Sequence, residues 1–173
     1  MMESFYSKGY VCYLRARKMN DIIEKSIHKR KAIMSLRRIA AAYEKVQCEY
    51  NHSSHTNYDG LKVHALLFSN EMIISFVSSA DKGFQESDLL YVIDDIRRLI
   101  AYFAAEGVTL EGGVSYGELY ISGNINIGPA IVKAVLIKPK GESGVWMDTE
   151  IMKYIESKDA FSDCFVGTKL KEG

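Results

Sequence analysis

Apolar residues repeat along the chain with two periods, one typical of strands and one typical of helices. Short β-rich runs predict strands over Gly9–Leu14, Leu61–Ser69, Glu71–Ser78, Val108–Ser122 and Val145–Met147. Helical spacing predicts helices from Met19 to Gln47 with a break at His28–Lys31, from Glu86 to Glu106, from Pro129 to Lys138, and from Asp148 to Ser157. The resulting order, β-α-α-β-β-α-β-α-β, predicts an α+β, ferredoxin-like fold whose helices pack on a mainly antiparallel sheet.

Two helices have apolar stripes that predict which side is buried. Before the first hairpin the stripe consists of Ile33, Leu36, Ala40 and Tyr43. In the helix at Glu86–Glu106 it consists of Leu89, Val92, Ile93, Ile96, Leu99 and Phe103. The charged residues Asp94, Asp95, Arg97 and Arg98 of this second helix are expected to face water, so the two aspartates receive no catalytic role.

Turn-forming residues separate the predicted elements. Ser69-Asn70 lies between two β-rich runs and predicts a hairpin. The segments Asn51–Gly60 and Gly123–Gly128 are predicted to be a polar loop and a turn. Gly112-Gly113, inside a long strand, indicates a bulge or a close approach of another backbone.

Composition narrows the class of protein. With 173 residues, 47% of them apolar, we expect one domain over positions 1–173, with its core at about 9–155 and an extension at 158–173. The 22 basic and 22 acidic side chains balance, which argues against nucleic-acid binding. Three widely spaced cysteines without a CxxC motif indicate reduced thiols in a cytoplasmic protein. No apolar run reaches the roughly 18 residues of a membrane span, so no membrane is expected as a partner.

Four local motifs follow one another at characteristic distances. They are Tyr10–Leu14 (YVCYL) followed by RARKM, Phe68–Ile73 (FSNEMI), Gly112–Tyr120 (GGVSYGELY) and Gly128–Ala134 (GPAIVKA). Together they resemble the catalytic core of class III nucleotidyl cyclases, in the divergent bacterial form with FSD, GGIxxGxLY and GPAL motifs. The resemblance spans roughly Gly9 to Ile155 and implies the cyclase fold. The glycines identify a fold and leave the activity open.

The resemblance also implies a set of catalytic positions. A class III cyclase uses two divalent metals, held by two aspartates, to make the ribose 3′-oxygen attack the α-phosphorus. The first aspartate falls on Arg15, whose guanidinium stays protonated and cannot bind a metal. The second falls on Asn70, a neutral amide. The asparagine and arginine that steady the transition state fall on Val132 and Leu136.

These replacements predict a cyclase-like domain without catalytic residues, metal or other cofactor. We therefore expect a pseudoenzyme, a dimerising module that binds a nucleotide or a protein partner and acts in cyclic-nucleotide or anti-phage signalling. The alternative is an active but atypical nucleotidyl cyclase, in which Glu71 supplies the missing carboxylate and Mg²⁺ or Mn²⁺ is bound.

Arg15 itself allows two interpretations. It forms a salt bridge in the vacated metal position, or it holds a phosphate directly, as arginine does well. The candidate nucleotide- or phosphate-binding residues are Arg15, Arg17, Lys18, Asn70, Glu71 and Lys133. The resemblance further implies head-to-tail pairing through Gly112–Ile121 and Gly128–Leu136, as a homodimer or as a heterodimer with a related cyclase.

Overall fold

The computed structural model describes residues 4–17, 19, 24, 30–52, 61–78, 85–122, 125–137, 144–159 and 161. Within these ranges the chain forms six strands and four helices. The strands are β1 (Ser4–Ala16), β2 (Leu61–Phe68), β3 (Glu71–Ser78), β4 (Leu110–Ser122), β5 (Ile125–Ile127) and β6 (Val145–Met147). The helices are α1 (Arg30–His52), α2 (Glu86–Ala105), α3 (Pro129–Leu136) and α4 (Thr149–Glu156).

One sheet joins all six strands, in the order β2-β3-β1-β4-β5, with β6 beside β4. Among the described strands, only the β4–β6 pairing is parallel, so the sheet is mainly antiparallel and the predicted α+β class is confirmed. The helix expected before the break at His28–Lys31 lies largely outside the described residues. None of the described helices combines the length and apolar composition needed to cross a bilayer.

The long strands β1 and β4 set the two faces of the sheet. They pair without interruption from Ser4 opposite Ser122 to Ala16 opposite Leu110, and side chains alternate between the faces. The helix face carries the main core, in which Tyr10, Cys12 and Leu14 of β1 pack with residues of α1, α2 and α4. The opposite face, called the α3 face below, carries a smaller cluster in which Val11 packs with Ala130 and Ala134 of α3.

The apolar stripe predicted for α2 is confirmed, because all six of its residues are buried. The prediction that Asp95 faces water is wrong, since this residue is only 2% exposed. Its carboxylate accepts hydrogen bonds from the Tyr50 hydroxyl of α1 and from the Arg98 guanidinium. Helix α1 packs against α2 at Asp95 and buries it, and the sequence of α2 alone does not reveal this contact.

The stripe predicted for α1 is wrong in phase. Ile33 and Ala40 are exposed, and Leu36 and Tyr43 are only partly buried. The buried residues are Ile39, Ala42, Val46 and Tyr50. The helix also continues to His52, beyond the predicted end at Gln47 and into the segment predicted to be a polar loop. Because the whole helix carries scattered apolar residues, the choice of face depends on what it packs against.

The turns agree with the sequence in part. Ser69, with a φ of 55°, and Asn70 form a two-residue hairpin turn between β2 and β3. Gly112-Gly113 is not a bulge, because the β1–β4 register passes through it unbroken. It is a close approach, since a Cβ on Gly112 would lie 1.8 Å from the Tyr13 carbonyl oxygen. The turn predicted at Gly123–Gly128 is wrong in part, because it contains strand β5.

Candidate functional site

Three charged residues form a row across the α3 face. Arg15, near the end of β1, pairs in register with Glu71 of β3 on one side and with Glu111 of β4 on the other. Residues paired across neighbouring strands project from the same face of the sheet. One positive side chain therefore stands between two negative ones, at the end of the sheet where β1 ends and β3 begins.

Arg15 and Glu111 form a salt bridge. The arginine Nε donates to Glu111 Oε1 over 3.0 Å, and a terminal guanidinium nitrogen donates to the same oxygen over 2.5 Å. The carboxylate of Glu111 is largely buried, with 11% of its side chain exposed, whereas 51% of the Arg15 side chain is exposed. This hydrogen bond raises the pKa of Arg15 above its ordinary value. Arg17 adds a second, longer ion pair, with its Nε 3.9 Å from Glu111 Oε2.

Glu71 interacts with a neighbouring tyrosine. The Tyr13 hydroxyl donates to Glu71 Oε1 over 2.8 Å. Burial, together with this hydrogen bond to a carboxylate, raises the pKa of Tyr13 to about 12. Glu71 therefore accepts a hydrogen bond from a neutral phenol on the same face of the sheet.

The other candidates lie elsewhere. Asn70 occupies the hairpin turn, where its backbone carbonyl accepts from the Ala16 N–H over 2.8 Å, and the register partner of Arg15 is Glu71 instead. The Nζ of Lys133 lies 3.8 Å from Oε2 of Glu150 in α4. Lys18 falls outside the described residues. The structure thus brings Arg15 and Arg17 to Glu111, places Glu71 on the other side of Arg15, and does not add Lys133 to that group.

The residues in this row do not fit a pair of divalent metals. Such ions bind several oxygen ligands, usually including carboxylates. Here Glu111 is already paired with Arg15. The guanidinium of Arg15 stays protonated, so it remains a competing cation and cannot itself become a metal ligand. Within the described part of the chain, no group of three His, Cys, Asp or Glu side chains is arranged to hold a metal ion.

Helix α3 lies close to the same face. The Ser115 hydroxyl donates to the Ala130 carbonyl over 2.5 Å, and Ala130 and Ala134 are fully buried. A Cβ on Gly113 would come within 2.4 Å of the Ala134 carbonyl oxygen, so the glycine permits the helix to approach. Close packing therefore accounts for Gly112 and Gly113 of β4.

The outer side of α3 is apolar and exposed. Val132 is 57% exposed, Val135 is 42% exposed and Leu136 is 66% exposed. These three residues form what we call the α3 surface. The side chains of Val132 and Leu136 are aliphatic, so neither can form a hydrogen bond or an ion pair with the charged row. The positions expected to carry transition-state residues therefore form an apolar surface.

Sequence reasoning missed Glu111, which contacts Arg15 and Arg17, and Tyr13, which contacts Glu71. The signal for Glu111 is an acidic residue near the start of the largely apolar run Val108–Ser122, which also contains Glu118. It becomes meaningful only when the register with β1 is known, because a shift of one residue would place it on the helix face.

Comparison with known proteins adds no relative. No protein-family model matches the sequence, and no curated protein matches it significantly.

Proposed function

We propose that this protein is a catalytically inactive, nucleotidyl cyclase-like module that acts by binding a related cyclase domain. The observation that carries the proposal is the Arg15–Glu111 salt bridge. It occupies the position where the resemblance to class III cyclases calls for a metal-binding aspartate. The guanidinium of Arg15 supplies a positive charge at that position, as a metal ion would. Unlike a metal ion, it has no coordination sites to which substrate oxygens could bind.

The charges around Arg15 also argue against a strong phosphate site. Arg15 and Arg17 contribute two positive charges, and Glu71 and Glu111 contribute two negative charges in the same row. A phosphate would have to compete with Glu111 for the guanidinium of Arg15, whose two shortest hydrogen bonds already go to one carboxylate oxygen. We therefore place protein binding before nucleotide binding in this proposal.

The α3 surface is the proposed contact for the partner. Aliphatic side chains exposed side by side on one helix favour burial against another protein. The resemblance implies that a cyclase site is built from two chains at this helix. A related cyclase domain is therefore the partner whose surface would match, and the localisation expected for the pair is cytoplasmic.

The activity is tested first. The purified chain, incubated with each ribonucleoside triphosphate and with Mg²⁺ or Mn²⁺, is expected to release no pyrophosphate and to form no cyclic nucleotide. Metal-dependent product formation that is lost in Glu71→Gln would establish the alternative, an atypical cyclase that uses Glu71. Calorimetry with the same nucleotides measures binding, and tight binding that depends on Arg15 would revive the phosphate role of Arg15.

Partner binding is tested separately. A class III cyclase domain from the same source is expected to change its rate when this chain is added. The variant Leu136→Lys, which places a charge on the α3 surface, should abolish the effect. The matched control is Lys153→Ala, on the exposed side of α4. An unchanged cyclase rate with the unmodified chain would contradict the proposal.

A further inference from the structure

Helix α3 is apolar on both its inner and its outer side. The inner side packs on the sheet through Ala130 and Ala134, which are fully buried, and through the partly buried Ile131. The outer side carries the larger aliphatic residues of the α3 surface, among which Leu136 is 66% exposed. Helices that are apolar all round are normally buried all round, and α3 comes close to that pattern, with Lys133 as its one charged residue.

Trp146 lies on the same face of the sheet as α3. It is the middle residue of β6 and pairs in register with Gly113 of β4, so the two residues project from the same face. The end of α3 lies directly over Gly113, because a Cβ on this glycine would come within 2.6 Å of the Ile137 Cβ. Trp146 therefore stands beside the last turn of α3, with 39% of the residue exposed.

An ion pair shows which side of α3 faces β6. Lys133 contacts Glu150 of α4, the helix that directly follows β6. Leu136 lies three residues after Lys133, and helical residues at that spacing are neighbours on one side. The α3 surface therefore extends from Leu136 towards Trp146, and the exposed ion pair lies at its border. An apolar centre with a polar rim is the usual composition of a protein interface.

The indole of Trp146 suits an anchor position in such a contact. Tryptophan combines a large apolar ring with one N–H donor, and it is enriched among the few side chains that dominate binding between proteins. Here it belongs to an edge strand of three residues, whose neighbour among the described strands is β4 alone. The exposed part of the ring is therefore within reach of a partner that covers α3.

We propose that Trp146 anchors the related cyclase domain on the α3 surface, with its ring packed beside Leu136 in the contact. The inference rests on the function proposed above and adds to it the residue that dominates binding. It also limits where the contact lies. The contact includes the β6 edge of the α3 face, and it leaves out Tyr6, which is 66% exposed on the opposite face of the sheet.

The dissociation constant of the complex tests this role. Trp146→Ala is expected to raise it at least roughly tenfold, whereas Trp146→Phe, which keeps an aromatic ring, should raise it less. Tyr6→Ala removes an exposed aromatic ring elsewhere and should leave it unchanged. If a folded Trp146→Ala chain binds the cyclase domain as tightly as the wild type, the anchor role is wrong and the proposed function stands. If the unmodified chain does not bind, both are wrong.

A spectroscopic measurement covers the case in which Trp146→Ala does not fold. Trp146 is the only tryptophan of the chain, so incorporation of fluorotryptophan gives a single fluorine resonance. Addition of the unlabelled cyclase domain should shift this resonance and remove its response to exchange of light for heavy water, because the ring is then shielded from solvent. A resonance that keeps its position and its solvent response, while the cyclase rate changes, overturns the anchor role.

Discussion

Arg15 and Glu111 face each other across the β1–β4 pairing, and the Nε of Arg15 lies 3.0 Å from Oε1 of Glu111. Glu71 stands on the other side of the same arginine. The row therefore alternates negative, positive, negative across three adjacent strands. Reversing its central charge would place three carboxylates side by side, and carboxylate oxygens are ligands that divalent cations prefer.

Arg15→Asp is expected to convert the row into a cation site. Without metal, the variant should lose about 1 to 2 kcal/mol of stability, because like charges then lie opposite each other in two cross-strand pairs. Mg²⁺ or Mn²⁺ should raise its Tm, and thermal unfolding with and without metal measures this. Arg15→Ala serves as the control and should show no metal response. An Arg15→Asp chain whose Tm ignores both metals would show that the row cannot close around an ion.

Asp95→Ala is expected to destabilise the fold by about 2 to 3 kcal/mol, because Tyr50 and Arg98 lose a buried, charged hydrogen-bond acceptor. Tyr50→Phe should cost less, since Asp95 keeps its contact with Arg98. Denaturant unfolding measures both changes. Asp94→Ala, at an exposed neighbouring position, should stay within about 0.5 kcal/mol of the wild type. Equal effects at positions 94 and 95 would contradict the buried network.

Gly112→Ala is expected to destabilise by about 3 kcal/mol, because its Cβ would meet the Tyr13 backbone, which cannot move without disturbing the β1–β4 pairing. Gly117→Ala should be tolerated. The nearest atom to its Cβ is Ala130 Cβ at 3.5 Å, an ordinary contact distance. Chemical denaturation of the two variants makes the comparison. A strongly destabilised Gly117→Ala would mean that α3 lies closer to β4 than the structure places it.

Stability should fall at alkaline pH. Burial is the main cause that raises the pKa of Tyr13 and of Tyr43 from 10.0 to about 12. A raised folded-state pKa contributes stability that is complete below pH 10 and is lost as the pH rises towards 12. Denaturant midpoints measured across this window should therefore decrease.

Tyr43→Phe gives the matched test of that pH dependence. The Tyr43 hydroxyl is buried and has no hydrogen-bond partner among the described residues. Its removal should leave stability near neutral pH unchanged or slightly higher and should make the alkaline loss smaller. An identical alkaline loss in this variant would show that Tyr43 does not titrate on unfolding.

The sequence predicted best those elements whose pattern is local and strong. The α2 stripe repeats cleanly over six apolar residues. The predicted start of the last helix at Asp148 is confirmed, because Asp148 caps α4 by accepting from the Ile151 N–H over 2.8 Å. The prediction for α1 failed in phase because apolar residues lie on more than one of its sides. The prediction that Asp95 faces water was wrong for a related reason, because its partner Tyr50 belongs to a different helix.

By itself, the sequence determined the positions of most strands and helices and the hairpin at Ser69-Asn70, and it singled out Arg15 as a candidate site residue. The tertiary structure alone decided what Arg15 does. The register of β1 between β3 and β4 places it between Glu71 and Glu111, and a register is a relation between distant segments. Local periodicity can specify a strand and its alternating faces, but the pairing energy that selects its neighbours arises only when the strands meet.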